Sequence, residues 1–161
     1  GEQLVDVAMS AHLAQKHALW ACSWLIRGAL ALGNHIEQYE SGQLYVVSEP
    51  LTHAVRLEKE KKKPWIVLHE SAIGNNPPIE SAIRPFERLF LYYDGDWIVN
   101  PFDIMWGFTP SERIEILKSN YPQHIRTYDE FLNLYRAVQA GELLYPPEFA
   151  DWLKGYLKQQ Q

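Results

Sequence analysis

The sequence predicts an α+β domain with a helical C-terminal extension. Apolar residues make up 47% of the 161 residues and aromatic residues 13%, which is enough for a packed core. Short apolar runs separated by turn-forming residues alternate with helical spacing as far as Phe102. Helix-start signals dominate after that residue. We therefore divide the chain into a sheet-containing domain at 1–105 and helices packed on the same domain at 106–161.

The first predicted elements are a helix and a hairpin. Apolar residues recur with helical spacing over residues 4–20. Residues 24–32 contain alternating apolar side chains, which favour a strand. Turn signals at 33–34 and 41–42 then predict that residues 44–47 return as its partner strand.

A second helix is predicted directly after this hairpin. Ser48 or Glu49 can cap the helix, and Pro50 suits its first position. The helix should continue to about Lys62, because Pro64 cannot extend it.

This second helix has an apolar stripe. At about 100° per residue, Leu51, Ala54 and Val55 cluster on one side and are expected to face the core. The predicted core comprises Trp24, Ile26, Leu30, Val47, Leu51, Val55, Ile66 and Leu68.

The remaining elements are a short strand, a second hairpin and three helices. Residues 65–69 are predicted as a strand, and residues 70–85 as a loop or a weak helix. Two apolar-aromatic runs surround Asp94-Gly95, a strong type I′ turn signal. The last helices are predicted from Thr109 to Lys118, from a capping box at Thr127 to Ala140, and from Pro146 to Leu157.

Composition argues against several classes of protein. The net charge of −5 argues against a surface for duplex nucleic acid. No apolar run reaches about 18 residues, so no membrane span is expected. Cys22 is the single cysteine and cannot form an intramolecular disulfide, which fits a reducing cytoplasm. The N-terminal residues also lack the features of a signal peptide.

Common catalytic and metal-binding motifs are absent from the sequence. No two of the six histidines lie four residues apart, and H-E-x-x-H does not occur. The P-loop, dinucleotide-binding and hydrolase-elbow signatures are also missing. Asp94 and Asp96 are explained first as turn residues, and the lysine-rich run at 58–63 as the solvated end of a helix.

Thr52 and Arg56 are the first candidate site residues. They lie four residues apart on the predicted second helix and are therefore neighbours on its surface. A planar guanidinium beside a short hydroxyl suits a phosphate or ribose oxygen. An ordinary surface arginine is the alternative interpretation.

The stretch "IRGALALGNHIEQYESGQLYVVSEPLTHAVRLEKEKKKPWIVLH" resembles the central part of class III nucleotide cyclase domains. Together with "YYDGDWIVNPF", it is most similar to bacterial stand-alone cyclases, including the pyrimidine cyclases of the Pycsar anti-phage system. The resemblance covers about residues 20–105 and rests mainly on the order of strand, hairpin, return strand and helix. It implies a class III cyclase-like mixed or antiparallel sheet with packed helices.

The resemblance also implies an activity and a cellular role. Class III cyclases are phosphorus–oxygen lyases that convert a nucleoside triphosphate into a 3′,5′-cyclic monophosphate and pyrophosphate. For this chain the expected substrate is UTP or CTP, and the expected product is a second messenger in anti-phage defence. The nucleotide would be the ligand, with neither nucleic acid nor a membrane as partner.

Three positions of this sequence match functional positions of the family. The transition-state arginine falls on Arg56. The ribose-orienting asparagine falls on Thr52, which departs from the pattern. The base-recognising residue falls on Tyr45, whose size narrows the pocket and favours a pyrimidine. Simple packing of Tyr45 within a strand is the alternative.

The family holds two divalent ions, Mn²⁺ or Mg²⁺, on two aspartates that precede the matched part. Asp6 fits neither position, so the metal ligands are expected to lie outside this chain. The chain is therefore interpreted as an N-terminally truncated cyclase or a natural fragment, inactive on its own. The resemblance further implies a homodimer with shared active sites, in which Arg56 comes from one subunit and the metal aspartates from the other.

Two further hypotheses remain open from the sequence. The chain could be a non-catalytic, cyclase-derived binding or dimerisation domain, which Thr52 in place of asparagine favours. It could instead be an unrelated α+β module that binds a partner protein through its C-terminal helices.

Overall fold

The computed structural model describes residues 2–73, 89–102 and 110–140, together with Glu142 and Pro146. Helices and strands are mixed along the chain, which confirms the α+β class. The elements are α1 (Glu2–His17), β1 (Gly28–Leu30), β2 (His35–Glu40), β3 (Gln43–Ser48), α2 (Glu49–Lys61), β4 (Ile66–Leu68), α3 (Glu70–Ile73), β5 (Phe90–Tyr93), β6 (Asp96–Val99), α4 (Pro110–Asn120) and α5 (Ile125–Gln139). The helix predicted after Pro146 lies outside the described residues, as does most of 70–85.

Four strands form the central sheet in the order β1-β4-β6-β5. β1 and β4 run parallel, with Gly28 opposite Ile66, and β6 runs antiparallel to both β4 and β5. A parallel pair needs a long crossover connection, and here α2 lies within it. The sheet is therefore mixed, as predicted.

Side chains of the sheet alternate between two apolar clusters, as the two-residue period of a strand requires. Val67, Leu91 and Ile98 contribute to one cluster, together with buried residues of α4 and α5. The neighbouring strand residues contribute to the other cluster, where Ala8 of α1 is fully buried. The sheet thus lies between α1 on one face and the α4–α5 pair on the other.

The hairpin of β5 and β6 confirms the turn prediction. Asp94 and Gly95 have φ angles of 52° and 85°, so both central residues are left-handed, as a type I′ turn requires. Glycine adopts this conformation without cost, and aspartate tolerates it.

The pairing of the first hairpin differs from the prediction. Strand β3 pairs with β2, over residues 35–40, and not with the run at 24–32. The two-residue turn at Ser41 and Gly42, with φ angles of 51° and 79°, places β2 and β3 side by side. Within 24–32, only β1 becomes a strand, and it pairs with β4.

The predicted core was partly wrong. Ile66 and Leu68 are buried, and Ile26 and Leu30 pack against the same cluster. The other four residues of the predicted core are exposed: Trp24, Val47, Leu51 and Val55. For Val47 the reason is that β2 and β3 form a separate sheet, and for Leu51 and Val55 it is that α2 packs through a different face.

Leu57 is the residue of α2 that packs against the core. Leu57 packs against the core cluster on the α4–α5 side of the sheet, whereas Leu51 is 58% exposed. Two ion pairs hold this rotation: Arg27 Nε lies 2.6 Å from Glu58 Oε1, and Lys61 Nζ lies 2.7 Å from Asp96 Oδ1. A helical wheel considers only the residues of the helix, so it could not predict contacts with Arg27 and Asp96.

The start of α5 also differs from the prediction. The helix begins at Ile125, after a 3₁₀ turn at Pro122–His124, so Thr127 lies inside the helix and does not cap it. Tyr128, Phe131 and Leu132 are buried in the core. None of the described helices has both the length and the apolarity that a membrane crossing requires.

Candidate functional site

Helix α2 carries two of the three candidate residues. The hydroxyl oxygen of Ser48 accepts a hydrogen bond from the backbone N–H of Leu51 at 3.2 Å, and Pro50 occupies the first turn. The helix ends where Lys62 adopts a left-handed conformation, with φ 52°, and its N–H bonds to the Glu58 carbonyl. The predicted positions, with Arg56 on this helix and Tyr45 on the preceding strand, are confirmed.

Thr52 and Arg56 share an open depression on the outer side of α2. Its volume is about 480 Å³, and five residues line it: Leu51, Thr52, Val55, Arg56 and Lys59. We call this surface the outer face of α2. It combines two apolar side chains, one hydroxyl and two cations, which is suited to a ligand with both an apolar and an anionic part.

Arg56 and Lys59 are the two cations of the outer face. Within the part of the chain that the structure describes, neither Arg56 nor Lys59 forms an ion pair, whereas Lys61 is paired with Asp96. A hydrogen bond from its ammonium to Asp96 raises the pKa of Lys61, although partial burial opposes this. The positive charge of Arg56 and Lys59 therefore remains available to an anionic ligand.

Thr52 keeps only part of its hydrogen-bonding capacity. Its hydroxyl donates to the backbone carbonyl of Ser48 at 3.0 Å, one helical turn earlier. The hydroxyl oxygen still has acceptor capacity towards the outer face. Thr52 could therefore accept a hydrogen bond from a ligand hydroxyl, but its own proton is already used.

Tyr45 lies apart from this depression. It occupies the middle of β3 opposite Gln38, and its hydroxyl donates to the side-chain oxygen of Gln43 at 3.0 Å. The ring is 51% exposed and does not line the outer face. The structure thus brings Thr52 and Arg56 together and leaves Tyr45 on the neighbouring hairpin.

Lys59 is the residue of this site that the sequence analysis missed. Its spacing of seven residues from Thr52 and three from Arg56 places it on the same helical stripe. This spacing could have identified Lys59 from the sequence, but we interpreted residues 58–63 together as the solvated end of a helix. Within that cluster Lys61 and Lys63 turn towards the β5–β6 hairpin, and Lys59 does not.

The hairpin of β2 and β3, which directly precedes α2, is exposed to solvent. Every residue of the two strands is exposed except Ser48, which is half-buried. Six apolar or aromatic side chains on its two faces form what we call the hairpin surface: Ile36, Tyr39, Leu44, Tyr45, Val46 and Val47. The register places Ile36, Tyr45 and Val47 on one face of the hairpin and Tyr39, Leu44 and Val46 on the other.

The described residues do not fit the two divalent ions that the cyclase resemblance implies. No three His, Cys, Asp or Glu side chains are grouped so that they could hold an ion in the described ranges. The expectation that such ligands lie outside the chain stays a prediction.

Comparison with known proteins adds no assignment. No family model, curated protein or solved structure matches this chain.

Proposed function

We propose that this chain forms one side of a composite nucleotide site in a nucleotide cyclase. The observation that carries the proposal is the outer face of α2, where Arg56 and Lys59, which form no ion pair among the described residues, lie beside the hydroxyl of Thr52. Two cations one turn apart on the same helix face suit the oxygens of a polyphosphate. The order of strand, hairpin and helix around this face is the part of the chain that resembles the class III cyclases.

The proposed reaction is an intramolecular phosphoryl transfer. The 3′ oxygen of a nucleoside triphosphate, UTP or CTP, attacks the α-phosphorus, and the bond to the bridging oxygen of the pyrophosphate breaks. Pyrophosphate and the proton of the 3′ hydroxyl are released with the cyclic monophosphate. Arg56 would stabilise the charge that develops on the transferred phosphate, and Lys59 would bind the leaving pyrophosphate. Because the described residues do not fit the implied ions, no step is assigned to a metal.

A second copy of the chain is the proposed partner. The exposed apolar side chains of the hairpin surface, with Leu51 and Val55, offer an area that a second copy would cover. Covering this area would enclose the outer face of α2 between two protomers. Arg56 of one copy would then act on a nucleotide that the other copy helps to hold. The proposed setting is the cytoplasm of a cell that signals phage infection through the cyclic product.

The decisive experiment measures cyclic nucleotide formation by the complete gene product. All four nucleoside triphosphates are incubated with Mn²⁺ or Mg²⁺, and the products are separated by chromatography. Arg56→Ala is expected to lower turnover by ~100-fold or more, because a preorganised charge is lost from the transition state. Arg126→Ala is the matched control, because Arg126 is 95% exposed on α5 and should affect neither turnover nor stability. Full turnover by Arg56→Ala would reject the assignment.

A non-catalytic binding or dimerisation domain is the second candidate. The bond from the Thr52 hydroxyl to the Ser48 carbonyl favours it, because the group that replaces the family asparagine is partly occupied. It predicts that the complete protein turns over none of the four substrates and still associates through the hairpin surface. Analytical ultracentrifugation of the protein and of Val47→Glu, a charge placed on that surface, distinguishes this outcome from a monomer.

A further inference from the structure

The β2–β3 hairpin is a two-stranded sheet that is separate from the central sheet. Two strands alone are only marginally stable in water, and added strands stabilise such a sheet. Every residue of both strands is exposed except Ser48, which is half-buried. Among the described residues, no further strand pairs with either side of the hairpin. It therefore has two free edges, one along β2 and one along β3.

The turn of the hairpin determines which backbone groups lie at these edges. The two-residue turn at 41–42 makes Glu40 and Gln43 a hydrogen-bonded pair. Hydrogen-bonded and non-hydrogen-bonded pairs alternate along an antiparallel ladder. Leu44 and Val46 therefore belong to non-hydrogen-bonded pairs and direct their N–H and C=O groups away from β2. These groups form the outer edge of β3.

The two edges differ in charge. Strand β3 contains no charged residue and no proline, and its tyrosine and two valines favour strand structure. Strand β2 instead carries Glu37 and Glu40. Natural proteins use charged residues on an exposed strand to prevent its edge from pairing with another chain. The edge of β2 has this protection, and the edge of β3 lacks it.

The edge of β3 is also complementary to itself. Two copies related by a twofold axis perpendicular to the sheet would place their β3 strands antiparallel, with the outward groups of Leu44 and Val46 facing the other copy. Residues directly opposite each other share a face of the sheet. The two registers with the greatest overlap therefore have either Tyr45 or Val46 on the axis. In both registers uncharged residues of β3 lie opposite uncharged residues.

We propose that β3 pairs edge to edge with β3 of a second copy, forming a four-stranded sheet in the order β2-β3-β3-β2. The two charged β2 strands would then lie at the outer edges, so that assembly stops at two copies and does not continue into a fibre. The inference rests on the proposed function for the identity of the partner, a second copy, and adds the strand through which that copy binds.

Sedimentation velocity of the full chain, without nucleotide, tests this pairing. The wild type is expected to dimerise reversibly. Val46→Pro removes an outward N–H and no hydrogen bond of the β2–β3 ladder, so association should weaken about tenfold or more. Glu37→Pro is the matched control, because Glu37 lies opposite Val46 and its N–H points to the outer edge of β2. This control should dimerise like the wild type.

Three results of this experiment would overturn the pairing. They are a monomeric wild type, a dimer that Val46→Pro does not weaken, and equal losses in Val46→Pro and Glu37→Pro. Circular dichroism establishes that both variants are folded.

Disulfide cross-linking gives a second measurement that needs no proline. Cys22, the single cysteine, is exposed and is first changed to serine. In that background, Tyr45→Cys or Val46→Cys should form an intermolecular disulfide on oxidation, because a residue on the axis has its Cα about 4.5–5.5 Å from its copy. Tyr39→Cys on β2 is the control and should remain unlinked. Failure of both β3 variants to cross-link would overturn the pairing even if the proline variants do not fold.

These measurements separate edge pairing from the nucleotide function. Turnover that depends on Arg56, in a protein whose association ignores Val46→Pro, would leave the proposed function standing and reject edge pairing. A dimer that is cross-linked through β3 but turns over no nucleoside triphosphate would support edge pairing and reject the cyclase reaction.

Discussion

The ammonium nitrogen of Lys63 lies 2.8 Å from Oδ2 of Asp94, which joins the chain just after α2 to the turn between β5 and β6. Two residues earlier, Lys61 makes the equivalent contact with Asp96, at the other side of the same turn. Lys63 Nζ is also 3.9 Å from Glu130 Oε2 on α5. These contacts fix the rotation of α2 about its axis, and that rotation is what exposes Arg56.

The Lys61–Asp96 pair should contribute measurable stability, because the side chain of Asp96 is only 15% exposed. We expect Asp96→Asn to lower the free energy of unfolding by about 1 kcal/mol at neutral pH, and by less in high salt. Urea denaturation measures this difference. Asp6→Asn, an exposed change on α1, is the control and should have little effect.

This contribution should also depend on pH in a defined direction. The hydrogen bond to Asp96 raises the pKa of Lys61 above its ordinary value of 10.5 in the folded protein. The folded state therefore holds the proton more tightly, so the stabilisation is fully present below that ordinary value. It is lost as the pH rises through the raised value. A difference between wild type and Asp96→Asn that widens in alkali would contradict the assignment.

Leu57 and Leu51 should respond very differently to truncation. Leu57 packs against the core, so Leu57→Ala should cost about 1–3 kcal/mol of unfolding free energy. Leu51 is 58% exposed, so Leu51→Ala should cost less than about 1 kcal/mol. Thermal midpoints of the two variants give the comparison. A greater loss in Leu51→Ala would show that the apolar stripe predicted from the sequence faces the core after all.

Gly95 should be much less replaceable than Gly28. Gly95 has φ 85°, which an L side chain adopts only with strain, so Gly95→Ala should cost about 1 kcal/mol or more. A Cβ at Gly28 would make an ordinary contact of 3.7 Å with Ile66 Cγ1, and its φ is not positive. Gly28→Ala should therefore change stability little. Equal effects in denaturant unfolding would speak against the type I′ turn.

Lys59 should contribute to binding of a polyphosphate if the outer face of α2 is a nucleotide site. Lys59→Gln is expected to weaken nucleoside triphosphate binding several-fold at low salt, with the effect shrinking as salt screens the charge. Lys62→Gln is the control, because Lys62 lies at the helix end outside the depression. Calorimetric titration of the complete protein measures both, and equal losses would indicate a non-specific charge effect.

Tyr45 should affect base selectivity if a second copy brings the hairpin surface to the nucleotide. Tyr45→Ala is expected to raise turnover of ATP and GTP relative to UTP and CTP, because the narrowing ring is removed. Tyr39→Ala changes an even more exposed ring of the same hairpin and should leave the ratio unchanged. Selectivity that stays the same in both variants would remove Tyr45 from the proposed site.

The parts of the fold that the sequence predicted correctly are set by neighbouring residues. The Asp94-Gly95 turn depends on two residues that tolerate positive φ, and the start of α2 depends on the Ser48 hydroxyl three residues before Leu51. The pairing of Thr52 and Arg56 on the outer face of α2 is also a local feature, because residues four positions apart are neighbours in any helix that contains both. Such features follow from local chemistry, and short-range patterns are enough to find them.

The tertiary structure alone decided which strands pair and which way α2 faces. Residues 28–30 form a strand because Ile66 to Leu68 lie beside them, 38 positions along the chain. The inward turn of Leu57 depends on the distant partners of Glu58 and Lys61, and an apolar stripe calculated from the helix alone pointed to Leu51 instead. Contacts between residues far apart in sequence select one arrangement among several that local propensity allows. The sequence therefore placed Arg56 beside Thr52, and only the packing of α2 exposed both to solvent.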